Sequence, residues 1–182
     1  MKFLISAITL LSLQAWSQMN YTDAAFELGF RQQNGTVEGV GVDEKAKIGY
    51  QAGVSGAFPI SDMFSFRTGL FYVEKPLKYE VGGASDDLSF TYFQVPVTAM
   101  YKFAEYAGVY AGVNLDINLA DDCGDVSCED VKSMNTPFVM GAAFKFAPQL
   151  GANVFFESGS SEVADGIKDL RAVGVNLMIT VD

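Results

Sequence analysis

Alternation between apolar and polar residues, repeated in one stretch after another, is the feature that most limits how this 182-residue chain can fold. Every second residue of Phe26–Arg31 is apolar, and the same pattern recurs over 109–118 and 173–180. Successive side chains of a β-strand point to opposite faces of a sheet, so this period of two predicts strands with one apolar face. No segment shows helical periodicity. The sequence therefore predicts an all-β protein.

Eight extended segments are predicted, each about as long as a tilted strand that crosses a membrane. They cover residues 22–31, 46–58, 63–75, 88–102, 106–118, 136–146, 149–157 and 169–181. Short connections at 58–63, 102–107 and 146–150 alternate with longer polar ones near 32–45, 79–87, 119–135 and 158–168. We therefore expect an eight-stranded antiparallel up-and-down transmembrane β-barrel, with three short periplasmic turns and four long outer loops.

The first 17 residues are typical of a secretory signal peptide. Lys2 precedes the apolar run Phe3–Leu13, and the small residues Ala15 and Ser17 mark a cleavage site. The run is shorter than the roughly 20 residues that a transmembrane helix needs. We predict a signal peptide over 1–17 and one barrel domain over 18–182, located in the outer membrane of a Gram-negative bacterium.

The polar face of the strands mixes charged side chains with glycines. The predicted members are Glu27, Arg31, Gln51, Ser55, Arg67, Gln94, Asn114, Asp116, Lys145, Asn153, Glu157 and Asn176. The lumen of an eight-stranded barrel is only wide enough to be filled by side chains. We therefore predict a non-conducting lumen whose charged residues form ion pairs, because an unpaired buried charge is costly. That network comprises Glu27, Arg31, Arg67, Asp116, Lys145 and Glu157.

The same alternation also fits a soluble, exported barrel of lipocalin type, which would hold an apolar ligand inside. The two interpretations differ in which face points outward. A membrane barrel exposes Phe26, Val113 and Val175, whereas a soluble barrel exposes their polar neighbours. Glycines on the polar face favour the membrane barrel.

Catalysis is not expected, since the chain contains no histidine and so has neither a Ser-His-acid triad nor a histidine-bearing zinc site. The best remaining acid/base pair is Glu27 with Glu157. We predict a non-enzymatic protein without a cofactor, which acts structurally or through surface interactions of its outer loops.

Cys123 and Cys128 lie in an acidic loop, and an exported compartment permits a disulfide between them. The alternative is a calcium site among the five acidic residues of that loop, although they match no calcium-loop spacing. These residues are Asp121, Asp122, Asp125, Glu129 and Asp130. The disulfide is the preferred interpretation, and no metal is predicted.

Four motifs resemble the PorT-like family of small outer-membrane β-barrels. They are GYQAGVSGAFPISDMFSFRTGLFYVEK (49–75), FTYFQVPVTAMYKF (90–103), YAGVYAGVNLDINL (106–119) and AVGVNLMITV (172–181). The resemblance implies an outer-membrane barrel and no single activity. The chain departs from such barrels at its end, where Thr180, Val181 and Asp182 stand in place of a terminal aromatic residue.

The predicted partners are outer-membrane lipid with lipopolysaccharide, the barrel insertion machinery, and an unidentified extracellular partner at the loops. Nucleic acid is not expected, because the chain carries 22 acidic and 12 basic residues. Within the strands, Pro96 predicts a β-bulge. Aromatic residues near segment ends predict interfacial girdles; they are Phe71, Tyr72, Phe90, Tyr92, Phe93, Tyr101, Tyr106 and Tyr110.

Overall fold

The computed structural model describes residues 23–37, 42–81, 84–122, 131–159, 162–164 and 166–181. It contains ten strands over that part of the chain: β1 (Asp23–Val37), β2 (Val42–Lys45), β3 (Lys47–Pro59), β4 (Phe64–Val81), β5 (Ala84–Ala104), β6 (Ala107–Asp122), β7 (Met134–Asn135), β8 (Phe138–Ala147), β9 (Leu150–Ser158) and β10 (Ile167–Val181). None of the described residues belongs to a helix long and apolar enough to cross a membrane.

Eight of these strands form a closed antiparallel barrel. Each long strand pairs with the long strands before and after it, and pairing of β1 with β10 closes the ring. β2 and β7 are short additions, which pair with the outer parts of β4 and β6. The predicted eight-stranded antiparallel barrel is confirmed.

The apolar face of the barrel points outward. Phe26 is 58% exposed and Val175 48% exposed, whereas their neighbours Glu27 and Asn176 are 2% and 1% exposed. Val113 is likewise exposed beside buried Asn114. An outer wall of mainly apolar side chains around a polar interior suits lipid as the surrounding medium, because contact of so much apolar surface with water would be unfavourable. The soluble lipocalin-type alternative is therefore not favoured.

The strands extend further at the outer end than the sequence predicted. The long outer loop predicted at 79–87 is wrong, because β4 and β5 remain paired from Lys78↔Asp87 to Val81↔Ala84. β2 also lies inside the loop predicted at 32–45. Hydropathy alone predicts loops here because charged side chains interrupt the apolar alternation. Three strands thus project beyond the apolar wall.

Ion pairs support the projecting strands. Lys45 on β2 contacts Glu80 on β4 at 2.5 Å, and Lys47 on β3 contacts Asp87 on β5 at 3.1 Å. The hydrogen bond from Lys45 lowers the pKa of Glu80 below its ordinary value of 4.5. Both pairs are largely solvent-exposed, so each contributes little to the free energy of folding.

One local expectation is wrong, and a second is wrong for half of its residues. Pro96 forms no bulge, since it stays in register opposite Asn114 and the two irregularities of this strand pair lie at Thr91/Tyr92 and Lys102/Ala104. Half of the residues assigned to aromatic girdles point into the barrel rather than to the interface; these are Phe71, Phe90, Tyr92 and Tyr110. The position of an aromatic residue near a strand end does not indicate which face of the strand carries its side chain.

We predict that Leu177→Arg lowers the free energy of unfolding by about 2–4 kcal/mol, because it places a charge near the middle of the lipid-facing wall. The matched control is Gln32→Arg on the outward face of β1, near the polar edge of the wall, which should cost at most about 1 kcal/mol. Urea unfolding in phospholipid vesicles measures both. Equal effects at the two positions would contradict a lipid-facing wall.

Candidate functional site

The lumen is filled in three layers along the barrel axis. Toward the short turns lies an apolar layer that comprises Ala25, Ala57, Met100, Tyr110, Val139, Ala143, Phe155 and Met178. Toward the projecting strands lies a second one that comprises Leu77, Leu88, Phe90, Tyr92, Val163, Ala164, Ile167 and Leu170. Between them are buried polar and charged side chains from seven of the eight long strands, all except β8. The sequence predicted this middle layer but neither apolar layer.

Glu157 on β9 is the centre of one half of the charged layer. Its Oε1 atom accepts hydrogen bonds from Arg31 and from Lys75, both at 2.6 Å. Its Oε2 atom accepts from Gln94 at 2.9 Å and from Asn114 at 2.6 Å. Both carboxylate oxygens therefore have two donors each, and the side chain is 1% exposed.

Asp116 extends this half across the lumen. Lys75 donates to its Oδ2 atom as well as to Glu157, and Gln94 donates to its Oδ1 atom at 2.7 Å. Lys75 and Gln94 each bridge the two carboxylates. Asp116 and Glu157 thus share the ammonium group of Lys75. Arg31 supplies a second positive charge at Glu157.

Glu27 on β1 is the centre of the other half. Arg67 donates to its Oε1 atom at 2.6 Å, and the Ser55 hydroxyl donates to the same atom. Asn153 and Asn176 donate to Oε2 at 3.0 and 2.8 Å. Gln51 joins the halves, because it accepts from Arg31 and donates to Asn176.

Aromatic rings support the cations, and glycines make room for two of these rings. The Arg67 guanidinium lies 4.6 Å from the centre of the Tyr110 ring, and a Cβ atom at Gly141 would come within 2.5 Å of that ring. Arg31 lies over Phe155 at 5.7 Å, and Gly174 gives that ring the same space. Each unit thus stacks a glycine, a ring and a cation, which is a favourable arrangement for a desolvated charge.

The structure brings five of the six predicted charged residues together. Lys145 is not in this cluster: it is half-buried near the short-turn end, beside a recess that Lys102 and Glu105 also line. Lys75 takes the place predicted for Lys145. Its position in the alternation of β4 could have revealed it, but it follows apolar Phe71 and Val73 on the same face. The corrected set has three acidic and three basic members.

Several predicted features lie outside the described residues. These are the signal peptide over 1–17, Cys123, Cys128, and three acidic residues of the same loop, Asp125, Glu129 and Asp130. Within the described part, no group of three or more His, Cys, Asp or Glu side chains is arranged to hold a metal ion. Every carboxylate of the charged layer is already engaged by protein donors.

An apolar outer wall, a closed ring of eight strands and a lumen of balanced charges define a small transmembrane β-barrel. A family model described as "Outer membrane protein beta-barrel domain" matches residues 14–160. The chain belongs to this family, and it is a protein of the Gram-negative outer membrane, where it lies in a bilayer with lipopolysaccharide. No curated protein matches the chain.

Solved structures show the same fold at low sequence identity. The chain is similar to the outer membrane protein OprG from Pseudomonas aeruginosa, with TM-score 0.56, 10% identity, and coverage of 89% of this chain and 95% of OprG. It is similar to Neisserial surface protein A, with TM-score 0.54, 14% identity and coverage of 87% and 97%. For the outer membrane protein AlkL, solved in lipid bilayers, the values are 0.51, 12%, 90% and 92%. These likenesses establish the fold alone.

We predict that Lys75→Met lowers the free energy of unfolding by about 3–5 kcal/mol, because it leaves Asp116 and Glu157 as two buried carboxylates with one cation. Lys145→Met is the matched control on the inner face of β8 and should cost less than about 1 kcal/mol. Adding Asp116→Asn to Lys75→Met should restore part of the loss. Chemical unfolding in vesicles measures all three, and equal losses for the two lysine variants would contradict this assignment.

Proposed function

We propose that this protein is a non-enzymatic surface-interaction barrel, in which the membrane-spanning part is a closed scaffold and the projecting strands contact partners outside the cell. The observation that carries the proposal is the division of the molecule into a filled lumen and a strand-paired extension of β2, β4 and β5. A scaffold of this kind presents charged side chains at fixed positions above the bilayer.

Three layers of buried side chains support a closed lumen. Arg31, Lys75 and Glu157 are each at most 2% exposed, and apolar side chains cover the charged layer on both sides. An ion would have to break a set of mutually satisfied charges in order to pass, and partial loss of such a network is costly. The same burial argues against catalysis at Glu27 and Glu157, because no substrate reaches either carboxylate.

The proposal has four further parts. The signal peptide directs export, and the barrel assembly machinery inserts the chain into the outer membrane. Cys123 and Cys128 form a disulfide, and the chain belongs to the PorT-like subgroup. The four sequence motifs support the subgroup. The signal peptide and disulfide rest on the residues that predict them, and an oxidising compartment favours the disulfide.

The interaction surface lies on the projecting hairpin, which is formed by the outer ends of β4 and β5, and on β2, which pairs with β4. Glu80 and Asp87 lie on the hairpin and Lys45 on β2, and Lys47 on the adjacent β3 pairs with Asp87. Backbone hydrogen bonds between strands therefore position these charges. Strand-held side chains lose less conformational freedom on binding than loop residues do. We therefore expect this hairpin to contribute more to attachment than the remaining outer connections.

A first test measures conductance. The purified protein, folded as judged by its heat-dependent electrophoretic shift, should add no steady conductance to a planar bilayer in concentrated potassium chloride. A conducting porin reconstituted in the same way is the control. A uniform, stable unit conductance would contradict the closed lumen.

A second test shortens the hairpin. Replacing residues 79–86 by Asn-Gly joins the paired residues Lys78 and Asp87 through a two-residue turn. Cells that display this variant should attach several-fold less to immobilised matrix protein and to neighbouring cells than wild-type cells do. A second variant exchanges Lys45→Glu and Glu80→Lys, which keeps the hairpin and its ion pair but reverses the two charges, and so separates loss of the hairpin from a change of its charge pattern. Unchanged attachment of the shortened variant at equal surface abundance would refute the proposed role of the hairpin.

A further inference from the structure

The lumen has a recess at the end of the barrel where the short turns lie. Its lining is mainly apolar, because Met100 and Met178 line it together with the small residues Ala25, Ala57 and Ala143. The recess encloses about 500 Å³ up to its open mouth. Concave, mainly apolar surfaces of this size are typical of small-molecule sites. Methionine side chains are flexible, so this lining can adapt to a bound hydrocarbon chain.

Two lysines lie at the mouth of this recess. Lys102 is near the end of β5 and Lys145 is near the end of β8, and both are half-buried. Lys102 pairs with Gly108, and the backbone N–H of Lys145 donates to the Tyr106 carbonyl at 2.7 Å. The segment 106–108 therefore lies between the two lysines and holds both at one side of the mouth.

The charges at the mouth favour a ligand with one negative charge. Glu105, in the turn after β5, lines the recess with Lys102 and Lys145, so these three residues sum to a charge of +1. Arg67 also lines the recess, but it is ion-paired with Glu27 in the charged layer. A lysine ammonium group has three donors, so each lysine can bind a ligand in addition to the contacts that it makes within the protein.

An apolar lining and a cationic mouth together select an amphiphile. An uncharged hydrocarbon would make no use of the ammonium groups, and a phosphate dianion would carry more charge than the mouth balances. A carboxylate on a hydrocarbon chain suits both features, because burial of the chain and charge-assisted hydrogen bonds to the carboxylate are each favourable. The ligand enters from the side of the short turns, since the charged layer closes the recess on its other side.

We propose that this recess binds the anion of a medium-chain fatty acid. Its hydrocarbon chain packs on Met100 and Met178, and its carboxylate accepts hydrogen bonds from Lys102 and Lys145. The site lies at the opposite end of the barrel from the projecting hairpin, so it goes beyond the proposed surface-interaction function and does not depend on it.

Methyl-resolved nuclear magnetic resonance of the protein in phospholipid nanodiscs tests the site with octanoate as the probe. Octanoate should shift the methyl signals of Met100 and Met178 in a saturable way. The Met140 methyl group faces lipid and is the internal control, because it reports octanoate that dissolves in the bilayer. Octanol should bind at least about ten-fold more weakly, since it has the same chain without the charge. Absence of a saturable shift at Met100 and Met178, or equal affinity for octanol, overturns the proposal.

Substitution of the two lysines tests the position of the carboxylate. The double variant Lys102→Gln with Lys145→Gln should raise the dissociation constant of octanoate about ten-fold or more, to that of octanol. Lys45→Gln with Lys78→Gln is the matched control, because it removes the same charge at the outer end of the barrel and should leave the constant unchanged. Both variants are compared after the heat-dependent electrophoretic shift shows that they are folded. Equal affinities of the two variants for octanoate, or tighter binding of octyl phosphate than of octanoate to the wild type, would refute the assignment.

Discussion

The fold depends on the mutual neutralisation of six charges inside a wall that faces lipid. Three carboxylates and three cations are buried together, and each carboxylate has protein donors on both oxygens. A bilayer offers no water to solvate a charge left over, so removal of one member leaves its partner in a medium that stabilises it poorly. Each strand must therefore present apolar side chains to lipid on one face and contribute to a balanced set of charges on the other.

The register between neighbouring strands determines whether the apolar wall and the charged layer can form together. Because side chains alternate, a shift of one residue in any strand pair would turn its charged residues toward lipid and its apolar residues into the lumen. The stacks of glycine, ring and cation at Gly141, Tyr110 and Arg67 add a second control on register, since the ring fits only where the facing strand has no side chain. Ring packing against the glycines and ion pairing in the lumen therefore favour the same strand register.

Much of this arrangement could be predicted from the sequence. The period of two assigned Glu27, Arg31 and Glu157 to one face, and the spacing of short turns gave the strand count. Which charges meet could not be predicted, because it depends on strand tilt and on height along the axis. Lys145 has the right parity but lies nearer the short-turn end, whereas Lys75 reaches Asp116 and Glu157 from the outer part of β4. The projecting strands were missed because charged residues on paired strands resemble loop residues when only hydropathy is read.

The most direct test of this account is residue-resolved solid-state magnetic resonance of the protein in bilayers, which compares magnetisation transfer from lipid acyl chains with transfer from water. Leu177 and Ile179 should receive magnetisation first from lipid, and Glu80 and Asp87 first from water. Glu27, Glu157 and Asn176 should receive it slowly from both sources. Transfer from water to Glu157 and Asn176 as fast as to Glu80 would show a hydrated lumen and contradict the account.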